Sequence, residues 1–459
     1  MKRSTVTSIA LACVCLCTAI SPAQRSLRET TNQDRTEILR AAIQGGKAKH
    51  VILFLGDGMG DSEITIGRNY RLGPNGRLAM DTLPLTGAYT TYALQESNPD
   101  VPNFVTDSAA SGTGWATGVK TSNGRISTVA GSTNVAPLTT ILELAQRAGF
   151  ATGDVTTADL TDATPAVLAS HVNDRGCYGP SDMRSCAVYK KSAGGPGSIA
   201  EQEVDHKVDV LMGGGYSRFA ETNDGGQFAG QTVLAQATAL GYQLIRTSSD
   251  LQNTAPNVPV LGLFAPINMD LEFGGIVAQP YPGSGPQTCT EGVRPGNQPS
   301  LEDMTKRALF LLDQSNKGKQ TGFFLQVEGA SIDKQDHVSS PCQQIGETIA
   351  FDAAIAAGLD YARQNPDTLV VVTADHGHTS QIIEPPTSPA QPGAFSAIRT
   401  RDNGTMVVSY ASQPVGSSQS HTGTQVRIAA QGPQAANVLG VTNQTELFYL
   451  LGRALGVTQ

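Results

Sequence analysis

Three short apolar runs in this chain each end on an acidic residue. They cover residues 51–57, 323–328 and 369–375, and they end in Asp57, Glu328 and Asp375. Continuous apolar runs are typical of strands that are buried on both faces of a parallel sheet. Because ligands collect at the carboxyl ends of parallel strands, three strands that bring carboxylates to one sheet edge predict a metal centre at that edge.

The other periodic segments alternate between strand and helix patterns. The predicted strands cover residues 51–56, 150–155, 209–212, 242–245, 260–264, 322–327 and 368–373. The predicted helices cover residues 108–118, 137–148, 198–207, 230–240, 302–315 and 345–364. This alternation predicts an α/β fold, in which a mainly parallel central sheet carries helices on both faces as a three-layer sandwich.

Proline and glycine set the limits of several elements. Pro137 suits the first turn of a helix and Gly149 suits its left-handed cap, which predicts a helix over 137–148. The Pro- and Gly-rich segments 278–300 and 384–394 predict surface insertions without regular structure.

The amino terminus has the pattern of a secretory leader. Lys2 and Arg3 precede an apolar stretch that small residues follow, which predicts a signal peptide over residues 1–23. Lipoprotein processing at a leader cysteine is an alternative, but the apolar stretch before Cys13 is short. We therefore expect a periplasmic or secreted protein with no membrane span after leader removal.

The mature chain is expected to form one large domain. Residues 24–47 predict a polar arm with a short helix over 33–44, and residues 48–459 predict a single domain with surface insertions.

Four cysteines remain after the leader, an even number in a chain bound for an oxidising compartment. Cys177 and Cys186 are near enough in sequence to close a short loop, which leaves Cys289 to pair with Cys342. A metal-binding role for these cysteines is the less favoured alternative, because no Cys-x-x-Cys spacing occurs.

The mature chain is acidic. Loss of Lys2 and Arg3 leaves 30 of the 32 basic residues against 40 acidic ones, a net charge of −10. Affinity for nucleic acid depends on neutralising phosphates with basic residues, so we expect no nucleic-acid-binding surface.

Candidate metal ligands combine carboxylates with imidazoles. Asp333 and His337 are four residues apart, a spacing that projects both side chains from one helical turn. Asp375 precedes His376, and a carboxylate buried at a strand end needs either a cation or an ion-pair partner. His421 alone is an ordinary loop histidine, so its role depends on its neighbours in space.

Oxygen ligands and a candidate anion clamp lie elsewhere in the chain. Asp162 and Thr164 offer the hard oxygens that Mg²⁺ prefers, although Asp162 also suits a helix N-cap. Arg175 beside Cys177 is the kind of guanidinium that grips a phosphate through two hydrogen bonds. Asp57 before Gly58 is compatible with an ordinary glycine-rich turn as well as with a metal ligand.

Ser108 is the candidate nucleophile. It lies near the start of the predicted helix 108–118, where the partial positive charge of the helix favours an alkoxide and phosphate oxygens. The alternative is a plain serine N-cap.

Six motifs together carry a family resemblance. They are Gly-Asp-Gly-Met-Gly-Asp-Ser at 56–62, Thr-Asp-Ser-Ala-Ala-Ser at 106–111, Asp-Ala-Thr-Pro at 162–165, Gln-Val-Glu-Gly-Ala-Ser-Ile-Asp-Lys-Gln-Asp-His at 326–337, Thr-Ala-Asp-His at 373–376 and His-Thr-Gly at 421–423. In this order the chain resembles bacterial periplasmic alkaline phosphatases from about residue 48 to residue 457. The resemblance implies hydrolysis of many phosphate monoesters to alcohol and inorganic phosphate through a phosphoserine, by a homodimer.

The resemblance also implies roles for single residues. Two Zn²⁺ ions would be held by Asp333, His337 and His421 and by Asp57, Asp375 and His376. One Mg²⁺ ion would be held by Asp57, Thr164, Glu328 and, directly or through water, Asp162. Ser108 would be the nucleophile, Arg175 and Lys334 would bind phosphate, and Asp107 and His378 would orient Arg175 and a zinc ligand.

Two features qualify the resemblance. Gly112 and Gly114 stand where the bacterial relatives carry alanine, and each is expected to weaken a helix interior by roughly 1 kcal/mol. Asp162 and Lys334 match the bacterial type, whereas the animal members carry histidines, so a tight magnesium site is expected.

Two kinds of rival function are disfavoured. A sulfatase needs Pro and Arg after its nucleophile, and Ser108 is followed by neither; diesterases of this superfamily usually carry threonine as nucleophile and lack the magnesium ligands. A protein that only binds phosphate or zinc has no need of a serine at a helix start between two zinc sites.

Overall fold

Ten strands form the central sheet of the computed structural model, which describes residues 34–458. In chain order the strands are β1 (His50–Gly56), β2 (Leu85–Thr90), β3 (Ala93–Gln95), β4 (Asn98–Asn103), β5 (Ala151–Asp159), β6 (Val210–Gly214), β7 (Gln243–Ile245), β8 (Val260–Leu263), β9 (Phe273–Gly274), β10 (Ser284–Gln287), β11 (Thr290–Glu291), β12 (Phe323–Gly329), β13 (Thr368–Ala374), β14 (Gln381–Ile383), β15 (Ala394–Arg399), β16 (Thr405–Tyr410), β17 (Val426–Gln431) and β18 (Val441–Asn443). The helices are α1 (Thr36–Ala42), α2 (Asp61–Leu72), α3 (Ser108–Thr117), α4 (Ile141–Arg147), α5 (Ala163–Ala169), α6 (Ile199–Asp205), α7 (Tyr216–Phe219), α8 (Val233–Ala239), α9 (Ser248–Gln252), α10 (Leu301–Gln314), α11 (Asn316–Gln320), α12 (Ser331–His337), α13 (Pro341–Gln364) and α14 (Glu446–Leu455). The predicted signal peptide, residues 1–23, lies outside the described residues.

The central sheet has the order β18-β2-β17-β13-β1-β12-β5-β6-β8-β7. Every neighbouring pair from β13 to β7 is parallel, and β17 is antiparallel to both of its neighbours. Helices α10 and α13 pack together against the sheet, and a second group contains α3, α4, α5 and α14. The predicted mainly parallel α/β sheet with covering helices is therefore confirmed.

The three strands that lead to the acidic residues are neighbours in the sheet and end in register. Every residue of β1, β12 and β13 is buried. Gly56 at the end of β1 pairs with Gly329 on one side and with Ala374 on the other. In-register parallel strands end at one edge, so the residues at their carboxyl ends are brought together there.

The predicted helix 137–148 begins later than expected. Thr140 is the N-cap of α4, and its hydroxyl and the Glu143 carboxylate form a capping box. Pro137 instead forms a β-bridge with Thr128. The prediction was wrong at this end because the capping box outweighs the helical preference of proline. Gly149 has the expected left-handed backbone, with φ of +87°.

The predicted irregular insertion 278–300 contains regular structure. It holds β10 and β11, and β10 joins a second sheet of order β10-β15-β16-β14. Proline weakens a strand only where its missing N–H faces a partner, so short edge strands accommodate it. In segment 384–394 the structure has no strand before Ala394.

Two disulfides link the four predicted cysteines. Cys177 pairs with Cys186 in the segment that follows Arg175, and Cys289 pairs with Cys342 at the start of α13. Among residues 34–458 no helix combines the length and the apolar character that crossing a membrane requires.

The two glycines of α3 have different surroundings. A Cβ at Gly112 would lie 2.9 Å from both Val167 methyl groups, whereas a Cβ at Gly114 would lie 3.4 Å from Gln444 Oε1, its nearest neighbour. Gly112 therefore permits the close approach of α3 and α5, while Gly114 has room for a methyl group.

We expect opposite effects from alanine at these two positions. Gly114→Ala raises the free energy of unfolding by up to about 1 kcal/mol, because alanine favours the helix. Gly112→Ala lowers it by roughly 1–3 kcal/mol, because the added methyl group overpacks the helix contact. Urea denaturation of both variants checks this prediction, and a Gly112→Ala protein more stable than the Gly114→Ala protein contradicts it.

Candidate metal centre

The first candidate cluster forms directly after β1 and β13. Asp57, Asp375 and His376 place their ligand atoms within 4.8 Å of one another. His376 Nε2 lies 3.0 Å from Asp375 Oδ2 and 3.5 Å from Asp57 Oδ1. The second oxygen of Asp375 accepts hydrogen bonds from the backbone N–H of Gly58 at 2.8 Å and of His376 at 2.9 Å. These bonds orient the Asp375 carboxylate toward the histidine ring.

The second candidate cluster centres on Asp333 of α12. His337 Nε2 lies 3.4 Å from Asp333 Oδ2, and His421 Nε2 lies 3.3 Å from Asp333 Oδ1. The predicted four-residue spacing of Asp333 and His337 is one turn of α12. His421 is far away in sequence, and its Nε2 lies 3.1 Å from that of His337.

The two clusters are in contact. The rings of His376 and His421 are stacked, with their centroids 3.6 Å apart. A Cβ at Gly58, which has φ of +65°, would lie 2.9 Å from Asp333 Cβ. A glycine at this position therefore lets the turn after β1 reach α12.

The ring orientation is the same in the three histidines. Nδ1 faces a backbone carbonyl oxygen in each: Gly377 at 3.3 Å for His376, Thr106 at 3.1 Å for His421, and Gln419 for His337. Because a carbonyl oxygen only accepts, each Nδ1 carries the proton and each Nε2 presents a lone pair to the carboxylates. Metal-binding histidines are oriented in this way.

His378 has the opposite tautomer. Its Nδ1 accepts a hydrogen bond from the backbone N–H of Thr379 at 2.9 Å, so its protonated Nε2 faces Asp333 Oδ1 at 3.2 Å. His378 therefore turns a protonated nitrogen toward Asp333, which is not the orientation of a metal ligand.

Buried oxygen atoms in this region lack hydrogen-bond partners. Within the described chain they include Asp57 Oδ1, Asp375 Oδ2 and Thr164 Oγ1. Leaving buried polar atoms unpaired is costly, and a cation satisfies carboxylate oxygens and bare imidazole nitrogens together. The residues present therefore fit bound metal ions, with mixed oxygen and nitrogen donors typical of zinc in both clusters.

An oxygen-rich group adjoins the two clusters. Glu328 at the end of β12 accepts a hydrogen bond from the Thr156 hydroxyl of β5, and Thr164 belongs to α5. The donors are hard oxygens, which suits Mg²⁺. Burial raises the pKa of Glu328 to about 7, although the Thr156 hydroxyl and the charge of Lys334 act in the opposite direction.

Asp162 has two functions in the structure. It is the N-cap of α5, and its carboxylate also pairs with Arg175 at 2.9 Å and with Lys334 at 2.6 Å. Burial opposes ionisation, but Lys334 and Arg175 hold the pKa of Asp162 well below its usual range. Asp162 in turn raises the pKa of Lys334 and of Arg175. Asp107 is the second partner of Arg175, at 3.2 Å.

Ser108 is the first residue of α3, and Asp107, not Ser108, is its N-cap. The Asp107 carboxylate accepts hydrogen bonds from the N–H groups of Ala110 and Gly124, both at 2.9 Å. Ser108 Oγ lies 3.5 Å from His376 Nε2. One loop therefore fixes both the hydroxyl at the helix start and the carboxylate that holds Arg175.

The structure places the predicted metal-binding and phosphate-binding residues in one region, and it shows further groups that contact them. The additions are the hydroxyl of Thr156, the carbonyl oxygens of Thr106 and Gln419, and Gln444, whose amide donates to the Asp375 carbonyl at 2.9 Å. The only sequence signal for Thr156 was its place at the end of a predicted buried strand. Backbone carbonyl partners leave no signal in side-chain patterns.

Comparisons with known proteins agree with this geometry. The model of the alkaline phosphatase family matches residues 48–417. An alkaline phosphatase of Escherichia fergusonii is 48% identical over 433 residues, covering 92% of this chain and 89% of the relative. A streptomycin-6-phosphate phosphatase of Streptomyces griseus is 49% identical over 415 residues, covering 89% of this chain and 91% of the relative. The solved structure of a cold-active alkaline phosphatase from Shewanella is similar with a TM-score of 0.65 and 26% identity, covering 89% of this chain and 100% of that one.

Proposed function

The chain belongs to the alkaline phosphatase family and is a phosphoric monoester hydrolase, and we propose that it acts through a phosphoserine on Ser108 beside two zinc ions and one magnesium ion. The observation that carries this proposal is the position of Ser108 Oγ, at a helix start and 3.5 Å from His376 Nε2 of a metal-binding cluster. Binding of phosphate alone would not need a hydroxyl at this point.

Three sets of side chains would hold the metal ions. One zinc would be held by Asp57, Asp375 and His376 and the other by Asp333, His337 and His421, while Asp57, Thr164, Glu328 and Asp162 would serve magnesium. Paired metal ions of this kind supply Lewis-acid stabilisation for the attacking and the leaving oxygen of a phosphoryl transfer.

Ser108 performs the covalent step. Its oxygen forms a bond to phosphorus as the bond from phosphorus to the alcohol oxygen breaks, and the alcohol leaves with the proton that the serine hydroxyl gives up. A water molecule then attacks the same phosphorus, the serine oxygen leaves with one proton of that water, and inorganic phosphate is released. The start of α3 favours negative charge at this hydroxyl, because the amino terminus of a helix carries a partial positive charge.

Arg175 binds the non-bridging phosphate oxygens. Its guanidinium is held between Asp107 and Asp162, which fix the plane of the fork before substrate arrives. Two parallel N–H donors match two oxygens of a phosphate group. Lys334 adds positive charge on the other side of Asp162.

Asp162 links the clamp to the proposed magnesium site. Its carboxylate pairs with both Arg175 and Lys334, so it is available to magnesium chiefly through water. A magnesium ion there would change the charge around Asp162, and it would therefore act on Arg175 and Lys334, the two cations that bind substrate.

We propose a broad range of monoesters as substrates. One relative is named a streptomycin-6-phosphate phosphatase, so sugar phosphates belong in the substrate panel beside p-nitrophenyl phosphate. Ser108, Arg175 and Lys334 would all act on the phosphate group. The alcohol part of the substrate is therefore free to vary.

Chelation tests the metal requirement. EDTA is expected to lower the rate of p-nitrophenyl phosphate hydrolysis by roughly a hundredfold or more, and added Zn²⁺ and Mg²⁺ together restore it. Mass spectrometry of the active protein is expected to show zinc and magnesium in the chain. Activity that survives EDTA treatment in protein shown to be metal-free contradicts the proposal.

Matched substrates test the reaction type. Bis(p-nitrophenyl) phosphate and p-nitrophenyl sulfate carry the same leaving group as the monoester, and both are expected to give a lower kcat/KM. A higher value for the diester or the sulfate would assign the main activity to another member of the superfamily.

Export of the protein is proposed on two grounds. The leader pattern over residues 1–23 predicts secretion, and two disulfides are stable only in an oxidising compartment.

A further inference from the structure

A third convergent group lies outside the two clusters described above. Glu143 belongs to α4, His171 follows α5, and His206 is the residue directly after α6. Each offers a ligand atom, and the three atoms lie within 4.8 Å of one another. Of the metal-binding residues proposed above, only Asp162 and Thr164 belong to these elements. They lie at the start of α5, whereas His171 follows its end.

One oxygen of Glu143 is the meeting point. His171 Nε2 lies 3.3 Å and His206 Nε2 lies 3.1 Å from Glu143 Oε1. The other carboxylate oxygen accepts the Thr140 N–H at 3.0 Å in the capping box, which fixes the carboxylate. Four ligands at about 2.0–2.1 Å around a tetrahedral ion are separated by roughly 3.3 Å, close to both distances.

The far side of each ring decides the tautomer. His171 Nδ1 lies 3.0 Å from the Ser127 carbonyl oxygen, and His206 Nδ1 lies 2.9 Å from that of Gln202. Each Nδ1 therefore carries a proton, and the Nε2 of each ring faces Glu143. His337, His376 and His421 have this same orientation, with Nδ1 on a carbonyl and Nε2 on a carboxylate.

A positive charge is needed among these three atoms. Without it, two lone pairs would face a carboxylate oxygen. Two extra protons would give two imidazolium rings with centroids 5.9 Å apart on one carboxylate, whereas one divalent cation satisfies all three groups. The other nearby charges are Arg147, 3.8 Å from the capping oxygen and mostly exposed, and Asp205 next to His206.

We propose that Glu143, His171 and His206 bind a divalent cation of the zinc class, separate from the ions at the sheet edge, with water as the fourth ligand. His206 is partly exposed, with 23% of its side chain accessible, so ion and water can reach the site. The ion would tie α4 and α6 to the segment that leads from His171 to Arg175. That segment is already bound to the loop after α3, through the bonds of Val172 to Ile126 and of Arg175 to Gly124.

Metal content of three proteins tests the proposal. The parent, His206→Gln and Glu143→Gln holoenzymes are exchanged into metal-free buffer without chelator, and their zinc is counted by mass spectrometry. The parent is expected to hold one more zinc per chain than either variant. Glu143→Gln keeps the capping bond, because glutamine also serves in a capping box, so its helix remains intact. Glu302→Gln, an exposed glutamate on α10, is the matched control and is expected to keep the parent's zinc.

Thermal unfolding supplies the second measurement. Added Zn²⁺ is expected to raise the Tm of the parent more than that of His206→Gln or Glu143→Gln, because an ion that binds only the folded chain stabilises it. Both variants should hydrolyse p-nitrophenyl phosphate at rates near the parent's, which separates this site from the proposed active site. Equal zinc content and equal Tm shifts in parent and variants would overturn the proposal. Glu143, His171 and His206 would then form an ion-pair network without a metal ion.

Discussion

Ser108→Ala is expected to lower kcat/KM for p-nitrophenyl phosphate by roughly a thousandfold or more. The variant lacks the oxygen that we propose as the nucleophile, while the proposed metal-binding side chains remain. Ser108 is almost fully buried, and alanine fits its place at the start of α3 without loss of the Asp107 cap. Steady-state kinetics with zinc content measured on the same sample checks the prediction.

Two further measurements make the Ser108 result specific. Acid quenching of the parent during turnover is expected to leave phosphate on the peptide that contains Ser108, and the variant should show none. Thr117→Ala removes a hydroxyl that donates to the Thr113 carbonyl and accepts from the Val119 N–H, neither of which belongs to the proposed active site. It therefore controls for general disturbance of the helix and should stay within about tenfold of the parent. A Ser108→Ala protein with full zinc and the parent rate would exclude Ser108 as nucleophile.

The sheet edge was predictable because the strands that build it are buried on both faces. β1, β12 and β13 are mainly apolar and fully buried, and they lie in register as parallel neighbours, so they end at the same edge. The pair Asp333 and His337 was predictable for a local reason, since four residues make about one helical turn. Asp57, Glu328 and Asp375 follow from the first argument alone.

Other parts of the fold depend on contacts that no local pattern shows. β17 is an antiparallel strand between parallel neighbours, and the run 426–431 resembles any other short apolar segment. The strands of the small sheet β10-β15-β16-β14 come from separate parts of the chain, and only the folded protein brings them together. The start of α4 is different, because Thr140 and Glu143 are three residues apart and carried the signal of a capping box.

The site shows the same division between local and distant information. His421 is a loop residue whose ring stacks on His376, and only the folded chain places it there. Asp162 was recognised both as a helix cap and as an oxygen ligand, and the structure shows that a single carboxylate caps α5 while it pairs with Arg175 and Lys334. The opposite tautomers of His376 and His378 follow from backbone partners, which a sequence pattern does not contain.

Asp333→Asn is expected to remove one zinc per chain and to lower kcat/KM by roughly a hundredfold or more. Asp333 faces three imidazole nitrogens, from His337, His378 and His421, at 3.2–3.4 Å. Asparagine keeps the volume but has no charge, and a neutral amide is a poor zinc ligand.

The role of Asp333 is decided by zinc content and kinetics, with a matched Asp-to-Asn substitution on α13 as the control. Asp360→Asn removes a carboxylate that pairs with Arg363 at the protein surface, so it should keep both zinc and activity. Loss of activity in Asp333→Asn without loss of zinc would place Asp333 outside the metal shell. Loss of zinc with parent-like activity would mean that the ion held by His337 and His421 takes no part in the reaction. Only the joint loss, in a variant whose far-ultraviolet circular dichroism matches the parent's, follows from a carboxylate whose charge holds the ion beside the leaving oxygen.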